Sequence, residues 1–241
     1  MNVTANRLRM SGGGATPFEN TKSVVFDGVD DYVIASLDGT SSGGVLASAD
    51  GDINLTISMW FKASTTGAQQ GFLQWANGLT DGTPFLIIQQ LTTNVRLFVN
   101  GNYQVSTVIN IGTWYNIIIT RTSSSNIWTV YLDGSSVGTY DDGGTSLSNR
   151  ASATDIYLAN GWAGYVEGNI DEVAIWNTDE TANVSAIYNS GVPDDLSSLS
   201  PLSWWRMGDG DTYPTITDHG SGGNDGTMTN MTSGDIVSDV P

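Results

Sequence analysis

Apolar side chains in this chain recur at every second position, in short β-branched and aromatic runs broken by clusters of Gly, Asp, Asn and Ser. Period-two alternation sends successive side chains to opposite faces of a strand, so regularly spaced runs of this kind imply an all-β sandwich or barrel. The runs fall at 23–26, 31–35, 55–62, 71–74, 85–89, 95–99, 104–108, 115–121, 128–132, 155–158 and 168–176. In the third, Ile57, Met59 and Phe61 take one face while Ser58, Trp60 and Lys62 take the other. Trp128, Val130 and Leu132 alternate with Thr129 and Tyr131 in the same way. Asn100-Gly101 and Asp133-Gly134 mark tight hairpins, because these residues accept the positive φ that such turns require. One segment breaks the pattern. Val184, Ile187 and Tyr188 recur at i, i+3 and i+4 before Gly191, which predicts a short helix near 181–189. Thr178, Asp179 and Thr181 are its candidate N-caps.

Composition removes several function classes. The 241 residues contain no cysteine and one histidine, His219. Disulfide frameworks, thiolate catalysis, Cys-ligated metals and multi-histidine sites are thereby excluded. Twenty-five acidic residues against eight basic ones give a formal charge of −17. Such a surface is a poor partner for nucleic-acid phosphates, which Lys and Arg must neutralise. No apolar run approaches the ~20 residues of a membrane span. The first ten residues lack the apolar core of a secretory signal.

Four segments, in order, resemble the laminin-G-like branch of the concanavalin A-like jelly rolls. They are Phe26-Asp27-Gly28-Val29-Asp30-Asp31-Tyr32-Val33; Ile57-Ser58-Met59-Trp60-Phe61; Thr113-Trp114 through Arg121 with Trp128 to Gly134; and Gly168-Asn169-Ile170-Asp171-Glu172-Val173. The resemblance covers 23–191 and implies a two-sheet antiparallel β-sandwich. The expected organisation is an arm at 1–17, the sandwich at 18–191, and a connector with a C-terminal segment at 192–241. That last segment, with Trp204-Trp205 and Gly223-Asn224-Asp225-Gly226, is similar to the family's usual opening and is expected to complete the same sandwich. The Asp- and Gly-rich, Lys-poor composition also looks like that of laminin-G-like structural proteins of marine bacteriophages.

Catalysis is not expected. Glucanases of this fold carry Glu-x-Asp-x-x-Glu on one strand, whereas this chain has only Glu19, Glu167, Glu172 and Glu180, none so spaced. On an uninterrupted strand Glu167 and Glu172 would face opposite sides. His219 lies in a turn-like Asp-His-Gly-Ser segment. The resemblance implies a structural calcium ion held by Asp171, with Asp27, Asp30 and Asp31 as further contributors; the alternative is that these carboxylates accept backbone N–H bonds. Asp141-Asp142-Gly143-Gly144 and Asp209-Gly210-Asp211 read as solvated turns. Trp75, Trp162 and Tyr103 lie in polar surroundings and are the candidate sugar-stacking residues. Arg7 and Arg9, in the arm, are the candidate contacts to other subunits.

The expected function is a non-enzymatic virion structural or adhesion module on a phage surface, with glycan binding and with other virion proteins or further copies as partners. The alternatives are a secreted glycan-degrading enzyme of the same fold and a domain of an extracellular bacterial adhesin.

Overall fold

The computed structural model describes residues 17–37, 53–66, 69–78, 84–99, 102–144, 153–162 and 164–241. Arg7, Arg9 and the Asn100-Gly101 turn lie outside them, and so does the Tyr103 side chain. Two eight-stranded antiparallel sheets face each other across one apolar core, as the alternation predicts.

The first sheet joins β1 (Ser23–Asp27), β3 (Leu55–Ala63), β8 (Trp114–Thr122), β9 (Ile127–Leu132), β10 (Ser135–Asp141), β12 (Glu167–Trp176), β13 (Ser203–Trp205) and β16 (Ile236–Val237). Their order is β10-β9-β8-β3-β12-β1-β16, with β13 on β12 beyond the end of β1. The second holds β2 (Tyr32–Ser36), β4 (Gln69–Ala76), β5 (Leu86–Leu91), β6 (Asn94–Val99), β7 (Asn102–Val108), β11 (Asp155–Leu158), β14 (Thr215–Ile216) and β15 (Gly226–Thr229). It runs β14-β15-β2-β11-β4-β5-β6-β7.

Ile57, Met59 and Phe61 enter the core beside Trp128 and Val130, while Trp60 turns outward and stacks on Tyr188 at 6.0 Å. At the 132–135 hairpin, Asp133 and Gly134 take φ of 49° and 70°, the mirror-image turn their types allow. The tail divides its strands between both sheets: β13 pairs with β12, β15 with β2, and β16 with β1. Trp205 fills the main core, and Trp204 covers the outer face of the first sheet against Phe18.

Strand β10 carries no apolar alternation, because it is an edge strand whose side chains are largely open to solvent. The helix consists of a 3-10 turn at Thr181–Asn183, α1 at Val184–Tyr188, and a second 3-10 turn at Asn189–Gly191. Glu180 precedes it without a side-chain capping bond; instead Asp179 Oδ1 accepts the Thr181 N–H at 3.0 Å. Val184 and Ile187 bury against Ile118 and Trp176.

Candidate functional site

Residues on the outer face of the second sheet line up across its strands. Backbone register sets Thr227, Ile34, Tyr157, Gln74, Ile87 and Phe98 side by side from β15 to β6. A parallel row sets Gly71 opposite Gln89, and Gln89 opposite Arg96. Over these rows folds the turn Asn160-Gly161-Trp162, which follows β11. The Trp162 N–H donates to Gln74 Oε1 at 2.6 Å, and Gln74 Nε2 donates to the Gly78 carbonyl at 3.2 Å. A Cβ at 161 would lie 2.5 Å from Gln74 Oε1 and would displace the amide that anchors the turn. The backbone of Asn160 and Gly161 passes close above Gly71, where a Cβ would meet Gly161 N at 3.3 Å.

This turn presents Trp162 to solvent at 54% exposure, the most exposed aromatic side chain among the described residues. Beside it lie buried amides without partners. Neither Nε2 nor Oε1 of Gln89 makes a hydrogen bond, and the same holds for Asn160 Nδ2; Asn160 Oδ1 accepts the Gly161 N–H at 2.6 Å. Buried polar groups in folded proteins are nearly always paired; Asn20 Oδ1 and Asn116 Oδ1 at the first sheet are unpaired in the same way, so it is the exposed indole that sets this spot apart. Tyr32 and Tyr157 form a tilted pair 6.3 Å apart further along the face. Burial, then the nearby Asp155 carboxylate, holds the Tyr157 phenol above its ordinary pKa. A cleft of about 320 Å³ follows, lined by Ile34, Ser36, Gly223, Asn224, Asp225 and Thr227.

The remaining candidate residues separate. Trp75 is fully buried, an inward residue of β4, with its Nε1–H donating to the Leu37 carbonyl at 3.2 Å and its ring edge-on to Phe85. It belongs to a strand and not a loop, and no sugar can stack on it. Tyr103 lies in β7, with its backbone opposite Phe98. Asp27, Asp30 and Asp31 do gather, their carboxylate oxygens within 4.8 Å of one another on the β1–β2 hairpin. Asp27 Oδ1 already accepts the Val29 and Asp30 N–H groups, and Asp31 Oδ2 accepts the Asp27 N–H. The remaining oxygens suit a hard cation such as calcium, with water completing its shell.

Asp171 does not join them. Asp27 pairs with Glu167, four residues along β12, which places Asp171 ~13 Å away. A bulge in β12 between Asp171 and Ala174 puts Glu172 at φ 44° and sends both acids to the outer face of the first sheet. There both are buried, at 0% and 2% exposure. Asp171 accepts from Asn20 Nδ2 and the Glu172 N–H; Glu172 accepts from Trp204 Nε1 at 2.6 Å and Arg206 Nε at 3.2 Å. Burial, reinforced by the Glu172 charge, raises the Asp171 carboxyl well above its usual range. Burial likewise lifts Glu172 to about 7, against the lowering effect of Arg206. Asp209 joins the same cluster, accepting the Thr21 N–H and hydroxyl, so it is no solvated turn residue. Nor is Asp142, which forms a buried ion pair with Arg121.

Comparison with known proteins fits this architecture. Residues 27–183 match a laminin-G model of the Concanavalin A-like lectin/glucanases superfamily, more than half of the chain. The chain belongs to this superfamily. Among curated proteins, the mouse (Mus musculus) Sushi, von Willebrand factor type A, EGF and pentraxin domain-containing protein 1 is 30% identical over 122 residues, covering 45% of this chain and 3% of that protein. A provisionally assigned carbohydrate binding protein from Bacteroides ovatus superposes with a TM-score of 0.64 at 16% identity, covering 90% of this chain and 60% of that one. The heptameric SAP-like pentraxin of Limulus polyphemus gives 0.53 at 15% identity, with 73% and 86% covered. The sialidase carbohydrate-binding module (CBM40) of Ruminococcus gnavus, bound to α2,3-sialyllactose, gives 0.53 at 11% identity, with 69% and 96% covered. At these identities the structural likeness establishes the fold.

The superfamily joins lectins to glucanases, and carboxylate geometry bears on which half this chain resembles. The bulge corrects the expectation drawn from an uninterrupted strand, for it brings Glu172 to the same face as Glu167. Even so, five residues of strand separate them by ~16 Å, against about 5–5.5 Å for a retaining pair. Glu172 is also sealed under Trp204. His219 is exposed in its turn, edge-on to Trp204 at 5.9 Å, and the neighbouring Asp218 accepts the Trp204, Gly220 and Asn224 N–H groups. Glu172 holds the tail to the sandwich through Trp204 and Arg206, and Asp218 ties the tail's own segments together.

Proposed function

We propose that the chain is a non-enzymatic glycan-binding module whose ligand surface is the outer face of the second sheet around Trp162. One observation carries this reading: an exposed indole stands on a fixed turn beside the partnerless buried amides of Gln89 and Asn160. Sugars present apolar faces that stack on aromatic rings, and hydroxyls that both donate to and accept from amides. The carbohydrate-binding proteins among the structural neighbours support the same reading. Screening the chain on a glycan array, then titrating the strongest sugar against Trp162→Ala, tests it. Binding that survives this substitution with unchanged affinity would remove Trp162 from the site.

The setting we propose is a phage surface, where many copies multiply a weak sugar contact. Its support is the acid-rich, Lys-poor composition. Mass spectrometry of purified particles from the source tests it: absence of the chain places the module elsewhere, with an extracellular adhesin the next reading.

A further inference from the structure

The cleft at the β2–β15 side lies on the same face as Trp162 and in the same transverse row. Its floor residues Thr227 and Ile34 are opposite each other, Ile34 is opposite Tyr157, and Tyr157 is opposite Gln74, which anchors the Trp162 turn. Two strand spacings separate Ile34 from Gln74, or ~10 Å. The cleft is firmly built. Its far wall, Gly223–Asp225, is fixed by the Asp218 carboxylate accepting the Asn224 N–H, by Asn224 Nδ2 donating to Ser203, and by Asp225 Oδ1 accepting the Asp218 N–H. Its polar lining is hydroxyl, amide and carboxylate: Ser36, Thr227, Asn224 and Asp225. Ser36 in turn donates to Asp155, placing a second carboxylate at this end.

We infer that this cleft is a second subsite for the glycan that stacks on Trp162, so that the ligand is an oligosaccharide laid across the strands, and that its sugar at the cleft end is uncharged. The inference rests on the proposed glycan reading. It adds a second contact point contributed by the C-terminal tail. Two contact points separated by at least two strand spacings favour a chain over a single ring. The Asp225 and Asp155 carboxylates accept hydrogen bonds from neutral hydroxyls and repel an anionic sugar.

The experiment is calorimetric titration of the whole chain with neutral galacto-oligosaccharides and with oligogalacturonides, each from one to six units. The expected result is a gain of roughly tenfold or more in affinity as the neutral series lengthens from one unit to four, with no such gain in the acidic series. Thr227→Arg, an exposed position that fills the cleft, should abolish the gain, so that the four-unit sugar binds no more tightly than the one-unit sugar. Binding without a length dependence, or a gain that Thr227→Arg leaves intact, overturns the second subsite alone. A gain of equal size with oligogalacturonides overturns the uncharged assignment. No binding to either series, with the variant's melting curve matching the parent's, overturns the second subsite together with its glycan ligand.

Discussion

Replacing Gln89 by methionine should make the free protein more stable and a poorer binder. Gln89 is fully buried on β5, and both its amide atoms lack hydrogen bonds. Folding therefore strips water from a donor and an acceptor and returns no hydrogen bond to either in the free chain. A buried polar group left in this state costs about 1–3 kcal/mol, and methionine of similar length fills the same space without that cost. A gain of ~1–3 kcal/mol in a chain of this size corresponds to a melting temperature about 2–12 °C higher. Differential scanning calorimetry measures the shift, and titration with the sugar selected on an array measures the loss of affinity. A stability gain paired with an affinity loss is the signature of a residue kept for binding. A drop in stability would show that the Gln89 amide is satisfied in the free protein, and the reasoning that places a ligand beside it would fail.

Four further outcomes follow from the same structure. Arg121 and Asp142 pair at 2.8 Å with side-chain exposures of 1% and 3%, and Asp142 also accepts from Trp128 Nε1; Asp142→Ala should cost about 3–5 kcal/mol in urea unfolding, and Arg121→Met with Asp142→Leu should recover most of it. Glu172 titrates near 7 when folded and 4.5 when unfolded, so its contribution is greatest below 4.5 and falls by about 3 kcal/mol as pH rises to 7. Denaturation at pH 5, 6, 7 and 8 should show that decline, flattened in Glu172→Gln; a rise over this range contradicts the assignment. Calcium held by the hairpin carboxylates should raise the melting temperature, and Asp30→Asn should shrink the increment where Asp171→Asn does not. Gly168→Ala should destabilise strongly, by roughly 2–4 kcal/mol, because its Cβ would lie 2.2 Å from the Lys62 carbonyl oxygen.

The sandwich was legible because burial on one face imposes alternation, as in β9, whereas β8 is buried on both faces and reads as the continuous run Ile117-Ile118-Ile119. Where burial is absent the signal is absent too, as in the edge strand β10. The bulge at Asp171 and Glu172 left no mark, since a single inserted residue changes the face of a side chain without changing composition. Trp162 was visible as an aromatic in a glycine-rich polar segment. Trp75, in a similar segment, proved to be core, for residues 69–76 form a complete strand. Gln89 was hidden in the run Leu86-Ile87-Ile88-Gln89-Gln90, where a polar residue gives no sign of whether it has a partner. Its significance needs the third dimension: only strand register shows it opposite Gly71, beneath the Asn160 turn.

The most direct test is the affinity of the intact chain and of Trp162→Ala for the best sugar from an array, with both melting curves recorded. The indole is exposed and lies outside both apolar cores, so its removal should leave the melting temperature within about 2 °C, as for other surface substitutions. The account predicts that binding falls at least tenfold in that folded variant. Equal affinities in the two proteins would contradict it.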